Sequence, residues 1–330
     1  MPEEQPKVSV ILPSYNVEDY IEECMESVIN QTLEDIEIIC VDAGSEDNTL
    51  EILKKYAQED SRINVFLSSK KSYGSQVNQG LANATGEYIS IIETDDYVTR
   101  EMLESLYNLS QFSLMDIVKG NFYHMYENEE GRKLNVDSAK RNLKQETPFR
   151  VIDEPLFLEG HPSIWSAIYK RSFLANNNIT FLEEDGGAWV DNPFFYETAL
   201  KAENILYTHV PYYYYRQTNE NSSSNNLQDL SIPARRINDL FKILDENKEE
   251  SNEIRQMLYR RLFRYIEITM ENNGNSTDNL DYETCKALNE ALSNVDEDYV
   301  HKKLSNNHKR YYYKFRSPLI LYQFKKQLKE

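Results

Sequence analysis

Along the first 120 residues, short apolar runs alternate with stretches in which apolar residues recur every three or four positions. VSVIL (8–12), IEIICV (36–41), INVFL (63–67) and YISII (88–92) lack polar alternation, and a further strand lies in DIVKGNFY (116–123). Between them, Tyr20, Ile21, Cys24, Met25, Val28 and Ile29 fall on one helical face. So do Leu50, Ile52, Leu53, Tyr56 and Ala57, then residues around Val77 and Leu81, then Met102, Leu103, Leu106 and Tyr107. Uninterrupted apolar strands separated by amphipathic helices predict an α/β class: a doubly wound, mostly parallel sheet covered on both faces.

The pattern then weakens. EGRKLNVDSAKRNLKQETP (130–148) is polar without clear periodicity and reads as a loop, and residues 149–216 mix strands with short helices. After the polar run QTNENSSSNN (217–226) the period is helical to the end, which predicts a domain over 1–226 and a helical region over 227–330. Apolar stripes at Leu230, Ile237, Leu240, Phe241 and Leu244, and at Leu258, Leu262, Phe263 and Ile266, would bury a bundle or a subunit interface. A homo-oligomer through this region is the expectation.

Composition narrows the class. Hydrophobic residues are 40% and charged residues 28%, and no apolar run reaches the roughly 20 residues that span a bilayer. The opening MPEEQPKVSV has no leader pattern, so a cytoplasmic protein is expected. Cys24, Cys40 and Cys285 lack ligand spacing and read as reduced residues, two of them on apolar faces. A net charge of −19 argues against nucleic acid as a partner. Residues 301–330 nevertheless carry nine Lys or Arg against one Glu. That basic, aromatic tail could rest on an anionic membrane face, or on the acidic body of its own chain or of a neighbouring subunit.

Three predicted strands end in polar, turn-forming sequences: PSYN (13–16), DAGSEDNT (42–49) and ETDD (93–96). In an open α/β sheet such ends share the rim where ligands bind. Neither GxGxxG nor GxxxxGK[ST] follows a strand, which removes the main support for dinucleotide and P-loop readings. Glu93, Asp95 and Asp96 at a crevice mouth suit a hard divalent cation shared with substrate phosphates. The alternative is a solvated acidic turn that caps the next helix.

At this point the residues carry a resemblance. VSVILPSYNVEDYIEECMESVINQTLEDIEIICVDAGSEDNT, followed by GSQVNQGLANATGEYISIIETDDYV, resembles the inverting family-2 glycosyltransferases of the Rossmann-like GT-A fold, those that build bacterial polysaccharide or glycoprotein glycans. The resemblance is dense over about the first 110 residues and thinner to about residue 225. It implies that Pro13 and Tyr15 line a nucleotide pocket, that Asp42 faces the base, that Asn78 belongs to the donor site and that Asp95 lies by the ribose and diphosphate. It makes Asp96 the direct ligand of Mn2+ or Mg2+. GGAWVDNPFF (186–195) resembles the segment that supplies the catalytic base, which points to Asp191, and PSIWSAIYKRSFL (162–174) resembles the acceptor side. Asp191 before Asn-Pro also suits a helix N-cap.

Several positions depart from the pattern. Ala43 stands where many members have a second acid, and Val77 where many have Arg, so the charge for the diphosphate would come from Lys70 or Lys71, or not at all. Glu93 replaces a common Asp. The four-tyrosine run Tyr212–Tyr215 before Arg216 reads as strand packing, and His161 and His209 as structural groups near the crevice.

The resemblance implies transfer of a sugar from a UDP-linked nucleotide-sugar to a hydroxyl of a glycan on a lipid carrier or protein. Two competitors stand beside it. A nucleotidyltransferase would need a glycine-rich basic loop after the first strand, which PSYNVEDY lacks. A binding or scaffold protein without activity would explain Ala43 and Val77.

Overall fold

The computed structural model describes residues 5–112, 114–129, 131–185, 188–219, 227–249, 251–277 and 280–317. The chain divides into two compact units, Met1–Glu220 and Asn221–Glu330.

The first unit opens with three strand-helix pairs. They are β1 (Val8–Ser14) and α1 (Ile21–Ile29), β2 (Ile36–Asp42) and α2 (Thr49–Glu59), and β3 (Ile63–Leu67) and α3 (Tyr73–Asn83). There follow β4 (Tyr88–Ile91), the two-residue β5 (Tyr97–Val98) and α4 (Met102–Ser110). The remaining elements are β6 (Ile117–Asn128), β7 (Gly131–Val136), β8 (Ala167–Lys170), α5 (Arg171–Asn176), α6 (Asp191–Lys201) and β9 (Ile205–Arg216).

Among the described residues, nine strands join one sheet in the order β3-β2-β1-β4-β8-β6-β9-β5, with β7 paired to β6 off this path. The half β3-β2-β1-β4 is wholly parallel. Beyond it, β8 runs antiparallel between β4 and β6, while β6 and β9 are parallel. The sheet is therefore mixed: an apolar strand buried on both faces reads the same in either direction. The first four strands form the core. Every residue of β1 is buried, as are Ile38, Ile39 and Cys40 of β2 and Ile89 and Ile91 of β4. The three cysteines are buried free thiols.

The stretch expected to be a loop at 130–148 begins instead as β7, an antiparallel hairpin partner of β6. All six residues of β7 are exposed, so no alternation of apolar and polar positions marks it.

The second unit is helical: α7 (Ile232–Glu246), α8 (Asn252–Asn272), α9 (Tyr282–Ser293), α10 (Glu297–Lys303) and α11 (Asn306–Arg316). The apolar stripes of α7 and α8 are covered within this unit: Ile237, Leu240, Leu244, Leu258, Leu262 and Ile266 are fully buried. Residues 318–330 of the basic tail lie outside the described residues. Among those described, no helix is long and apolar enough to cross a membrane.

Candidate active site

Register brings the three polar strand ends together. Ser14 pairs with Asp42 and Ile11 with Ile91 across parallel neighbours, so PSYN, DAGSEDNT and ETDD leave the sheet on one rim. Side chains stitch the rim. The buried Gln76 of α3 donates to the carbonyls of Ser14 and Val41, both at 2.7 Å. Thr94 Oγ1 donates to Pro13 O at 2.9 Å. Asn16, in the left-handed region at φ 51°, receives the amide of Glu46 on its Oδ1 at 2.8 Å and donates its own amide to Ser45 Oγ at 3.0 Å.

The acidic triplet lies at the centre. Asp96 is 2% exposed, and Tyr213 OH donates to its Oδ2 at 2.8 Å while the Arg216 amide donates to its Oδ1 at 2.7 Å. The same Tyr213 hydroxyl accepts the Glu93 amide at 3.2 Å. Asp95 and Glu93 are only partly buried. Asn219 Nδ2 donates to Asp95 Oδ2 at 2.9 Å, and Tyr73 OH donates to Glu93 Oε1 at 2.5 Å. Burial raises the pKa of all three acids, and each is raised further by, or itself raises, a neighbouring acid. Glu93 is pushed up to about 8 by burial first, then by the charges of Asp95 and Asp191, against the opposing Tyr73 hydrogen bond.

The charge of Asp191 also reaches this region, raising Glu93, Tyr73 and Tyr169, although about 100 residues separate it from the triplet in sequence. Asp191 is not the N-cap of α6. The helix begins at Asp191 itself, and Val190 occupies the cap position with no side-chain capping bond. Trp189, two residues earlier, holds φ 60°, an uncommon backbone for a bulky residue that fixes how the chain enters α6.

The other expected site residues fare differently. Pro13 is buried, with its carbonyl held by Thr94, and Tyr15 is 40% exposed on the rim with Lys71 Nζ 3.1 Å from its hydroxyl. Asp42 is fully enclosed and turned into its own loop: Oδ1 accepts the amides of Gly44 and Ser45 at 2.8 and 2.9 Å, and Oδ2 accepts Ser45 Oγ at 2.5 Å. It shapes a turn in which Gly44 adopts φ 79°. Asn78 clamps a neighbouring strap, accepting the Phe181 amide at 2.8 Å and donating to Phe181 O at 2.9 Å. Gly74 permits this strap: a Cβ there would sit 1.9 Å from Leu182 O. His209 bonds Leu143 O at 2.9 Å, which makes it structural.

Val77 is a core position at 0% exposure, and Ala43 is buried beside the end of β1. Lys70 and Lys71 are exposed and paired, with Glu183 at 2.6 Å and with Glu46 at 2.9 Å.

Tyr213, Arg216 and Asn219 were not foreseen as site residues. The four-tyrosine run does pack as strand: Trp165 stacks on Tyr213 with centroids 4.0 Å apart. Yet two residues of β9 also reach the acidic cluster, Tyr213 through its hydroxyl and Arg216 through its amide and Nε. The one signal was the position of Arg216 and the polar run after it, next to an acid-rich crevice.

A divalent cation fits this chemistry. Three acids with raised pKa values crowd one turn, and a cation would relieve their repulsion. No group of three or more acid, His or Cys side chains encloses an ion among the described residues, so the protein would supply one or two oxygens and a ligand's phosphates the rest. Hydrogen bonds orient Asp96 but leave each oxygen a second lone pair.

Comparisons with known proteins bear on the family and the fold. The model of glycosyl transferase family 2 matches residues 9–174. The chain is 34% identical over 226 residues to the uncharacterized glycosyltransferase EpsJ of Bacillus subtilis, covering 66% of this chain and 62% of that protein. It spans about three fifths of the length of the curated relatives it matches first. S. aureus TarS 1–349 in complex with UDP-GlcNAc superposes with TM-score 0.74 at 22% identity, over 89% of this chain and 83% of that one. Mannosyltransferase PcManGT from Pyrobaculum calidifontis, in complex with GDP-Man and Mn2+, gives 0.54 at 14% identity, over 93% and 79%. At these identities the two structures speak for the shared GT-A fold.

Proposed function

The chain belongs to glycosyl transferase family 2, and from that premise we propose that it moves a sugar from a UDP-linked donor to a hydroxyl of a glycan acceptor, with inversion. The observation that supports the reading is the acidic run Glu93, Asp95 and Asp96 after β4, on the rim where β1 and β2 also end, with the charge of Asp191 acting on Glu93. The acceptor hydroxyl gives its proton to Asp191 as its oxygen bonds the anomeric carbon. The bond from that carbon to the diphosphate breaks, and the electron pair leaves with the nucleoside diphosphate. One displacement inverts the centre, so a single base suffices and no carboxylate nucleophile is needed. Asp95 and Asp96 would hold Mn2+ or Mg2+, which as a Lewis acid stabilises the charge developing on the diphosphate. Tyr213 and the Arg216 amide orient Asp96 for that task, and Tyr15 borders the nucleotide side.

The donor's base follows the UDP-GlcNAc bound to TarS, a protein of the same fold. A protein that binds the donor without transferring it is the second reading, and it rests on Ala43. Val77 no longer supports it, since that position is core in this chain.

Calorimetric titration with UDP and GDP, each with and without Mn2+, tests the donor site, and Asp191→Asn tests the base. The expected result is Mn2+-dependent binding of UDP, kept in Asp191→Asn while transfer falls by about 10²–10⁴-fold. Absence of nucleotide binding by the folded protein would overturn the proposal. Unchanged transfer in Asp191→Asn would remove Asp191 from it.

A further inference from the structure

Outside the crevice, four charged side chains close into a ring. Arg216, whose side chain is 4% exposed, donates to Glu23 Oε2 at 2.6 Å and to Glu127 Oε2. Arg132 meets the other oxygens of the same two acids, donating through its second guanidinium arm to Glu23 Oε1 at 2.7 Å and through Nε to Glu127 Oε1 at 2.7 Å. Each carboxylate thus bridges two guanidinium groups, and each guanidinium bridges two carboxylates. The ring is neutral and spans α1, the β6–β7 hairpin and the end of β9.

From this ring, contacts run into the acidic loop by two routes. Arg216 Nε donates to the Asp95 carbonyl at 2.9 Å, and its amide holds Asp96. Arg132 also lies over the ring of Tyr97, the residue after Asp96, with its guanidinium carbon 5.4 Å from the ring centroid. Tyr97 in turn stacks on Tyr214 at 4.4 Å, next to the Tyr213 that bonds Asp96.

Arg132 therefore sits in the hairpin that the sequence pattern renders as loop, yet it touches Tyr97 directly after the acids and is linked through the ring to Arg216, which holds Asp95 and Asp96. We infer that Arg132 is a positioning residue for the donor site: by closing the ring, it fixes Arg216 and Tyr97, and through them the placement of Asp95 and Asp96. The inference rests on the proposed function for what those acids do.

The geometry explains why this residue must be Arg. Its two arms reach two separate carboxylates while the planar group lies on an aromatic face. A lysine at this position has one nitrogen and cannot bridge both acids along these directions. Removing the ring's second cation also leaves two carboxylates facing one guanidinium, so Glu23 and Glu127 repel each other and no longer brace the Arg216 side chain whose Nε holds the Asp95 carbonyl. The 42% exposure of the Arg132 side chain limits its own contribution to global stability, because exposed ion pairs are weak. A local effect on the acids with little change in melting temperature is what the arrangement predicts.

The test uses the full chain and three variants: Arg132→Met, Arg132→Lys and, as a neighbour in the same exposed strand, Lys133→Met. UDP binding is titrated with and without Mn2+, and amide hydrogen exchange is followed without metal in peptides covering 93–98 and 213–217. In Arg132→Met the metal-dependent gain in UDP affinity is expected to fall about tenfold, with faster exchange in both peptides and a melting temperature close to wild type. Arg132→Lys should recover less than half of the loss on a logarithmic scale, and Lys133→Met should match wild type. Wild-type exchange and metal-dependent gain in Arg132→Met would overturn the inference while leaving the donor site intact. So would full recovery by lysine, or an equal loss in Lys133→Met. If Arg132→Met fails to fold, the positioning role is refuted in favour of a structural one unless folded Arg132→Lys shows the selective loss. No UDP binding by the wild type would sink the donor reading and the inference with it.

Discussion

Glu93 is the residue whose titration should be visible in the stability of the whole protein. Its carboxyl is pushed up to about 8 from an ordinary 4.5, chiefly by burial. The folded state therefore holds a proton that the unfolded chain releases above pH 4.5. This contribution to stability is complete below that pH and is lost as the pH rises through about 8. Each pH unit inside the window corresponds to about 1.4 kcal/mol, so two units spanning its middle give about 3 kcal/mol as an upper figure. Glu93 keeps part of its surface in water, which reduces the expectation to about 1–2 kcal/mol. In Glu93→Gln the amide oxygen still accepts from Tyr73, but nothing titrates at this position. Denaturant unfolding in chelator at pH 5.5 and 7.5 should show wild type losing about 1–2 kcal/mol more than Glu93→Gln over that interval. Asp95 and Asp96 titrate in both proteins, and because, beyond burial, the charge of Asp95 raises Glu93 and that of Glu93 raises Asp96, the difference reports Glu93 together with its coupling to these acids. Saturating Mn2+ should shrink the difference, since a cation replaces the proton as the neutralising charge. Parallel pH profiles in chelator would refute the account of a half-dry acidic cluster held together by protons.

Two further substitutions separate roles within the rim. Tyr213→Phe removes both the donor to Asp96 Oδ2 and the acceptor for the Glu93 amide, and leaving two enclosed groups unsatisfied should cost about 2–4 kcal/mol in denaturant unfolding. Asp42→Asn preserves an oxygen for the amides of Gly44 and Ser45, so stability should change by under about 1 kcal/mol and UDP affinity by less than threefold. A variant that folds normally but no longer binds UDP would refute this purely structural role and mark Asp42 as the group that faces the base.

What the sequence made legible follows from which forces act locally. The strand-helix alternation of residues 8–110 was readable because burial on both sheet faces demands uninterrupted apolar runs, and the structure places its strands at the expected segments. The direction of β8 was not readable, because antiparallel pairing leaves no mark on a strand already buried on both faces. The hairpin strand β7 was missed for the opposite reason: with every residue exposed, its pairing rests on backbone hydrogen bonds to β6, which impose no residue type. The carboxylate cluster at residues 93–96 stood out because three acids directly after an apolar strand are costly unless something neutralises them. The structure shows how that cost is distributed. Tyr73, Tyr213, the Arg216 amide and Asn219 each donate to the acids, and three of these four come from a segment about 120 residues away in sequence. No local pattern could assign Tyr213 to Asp96 while Tyr214 stacks on Tyr97, because successive residues of one strand face opposite ways and the run YYYY is blind to that alternation. Arg132 is the extreme case. It is a single exposed arginine in a polar stretch, and its importance exists only through the distances at which Glu23, Glu127 and Arg216 close around it.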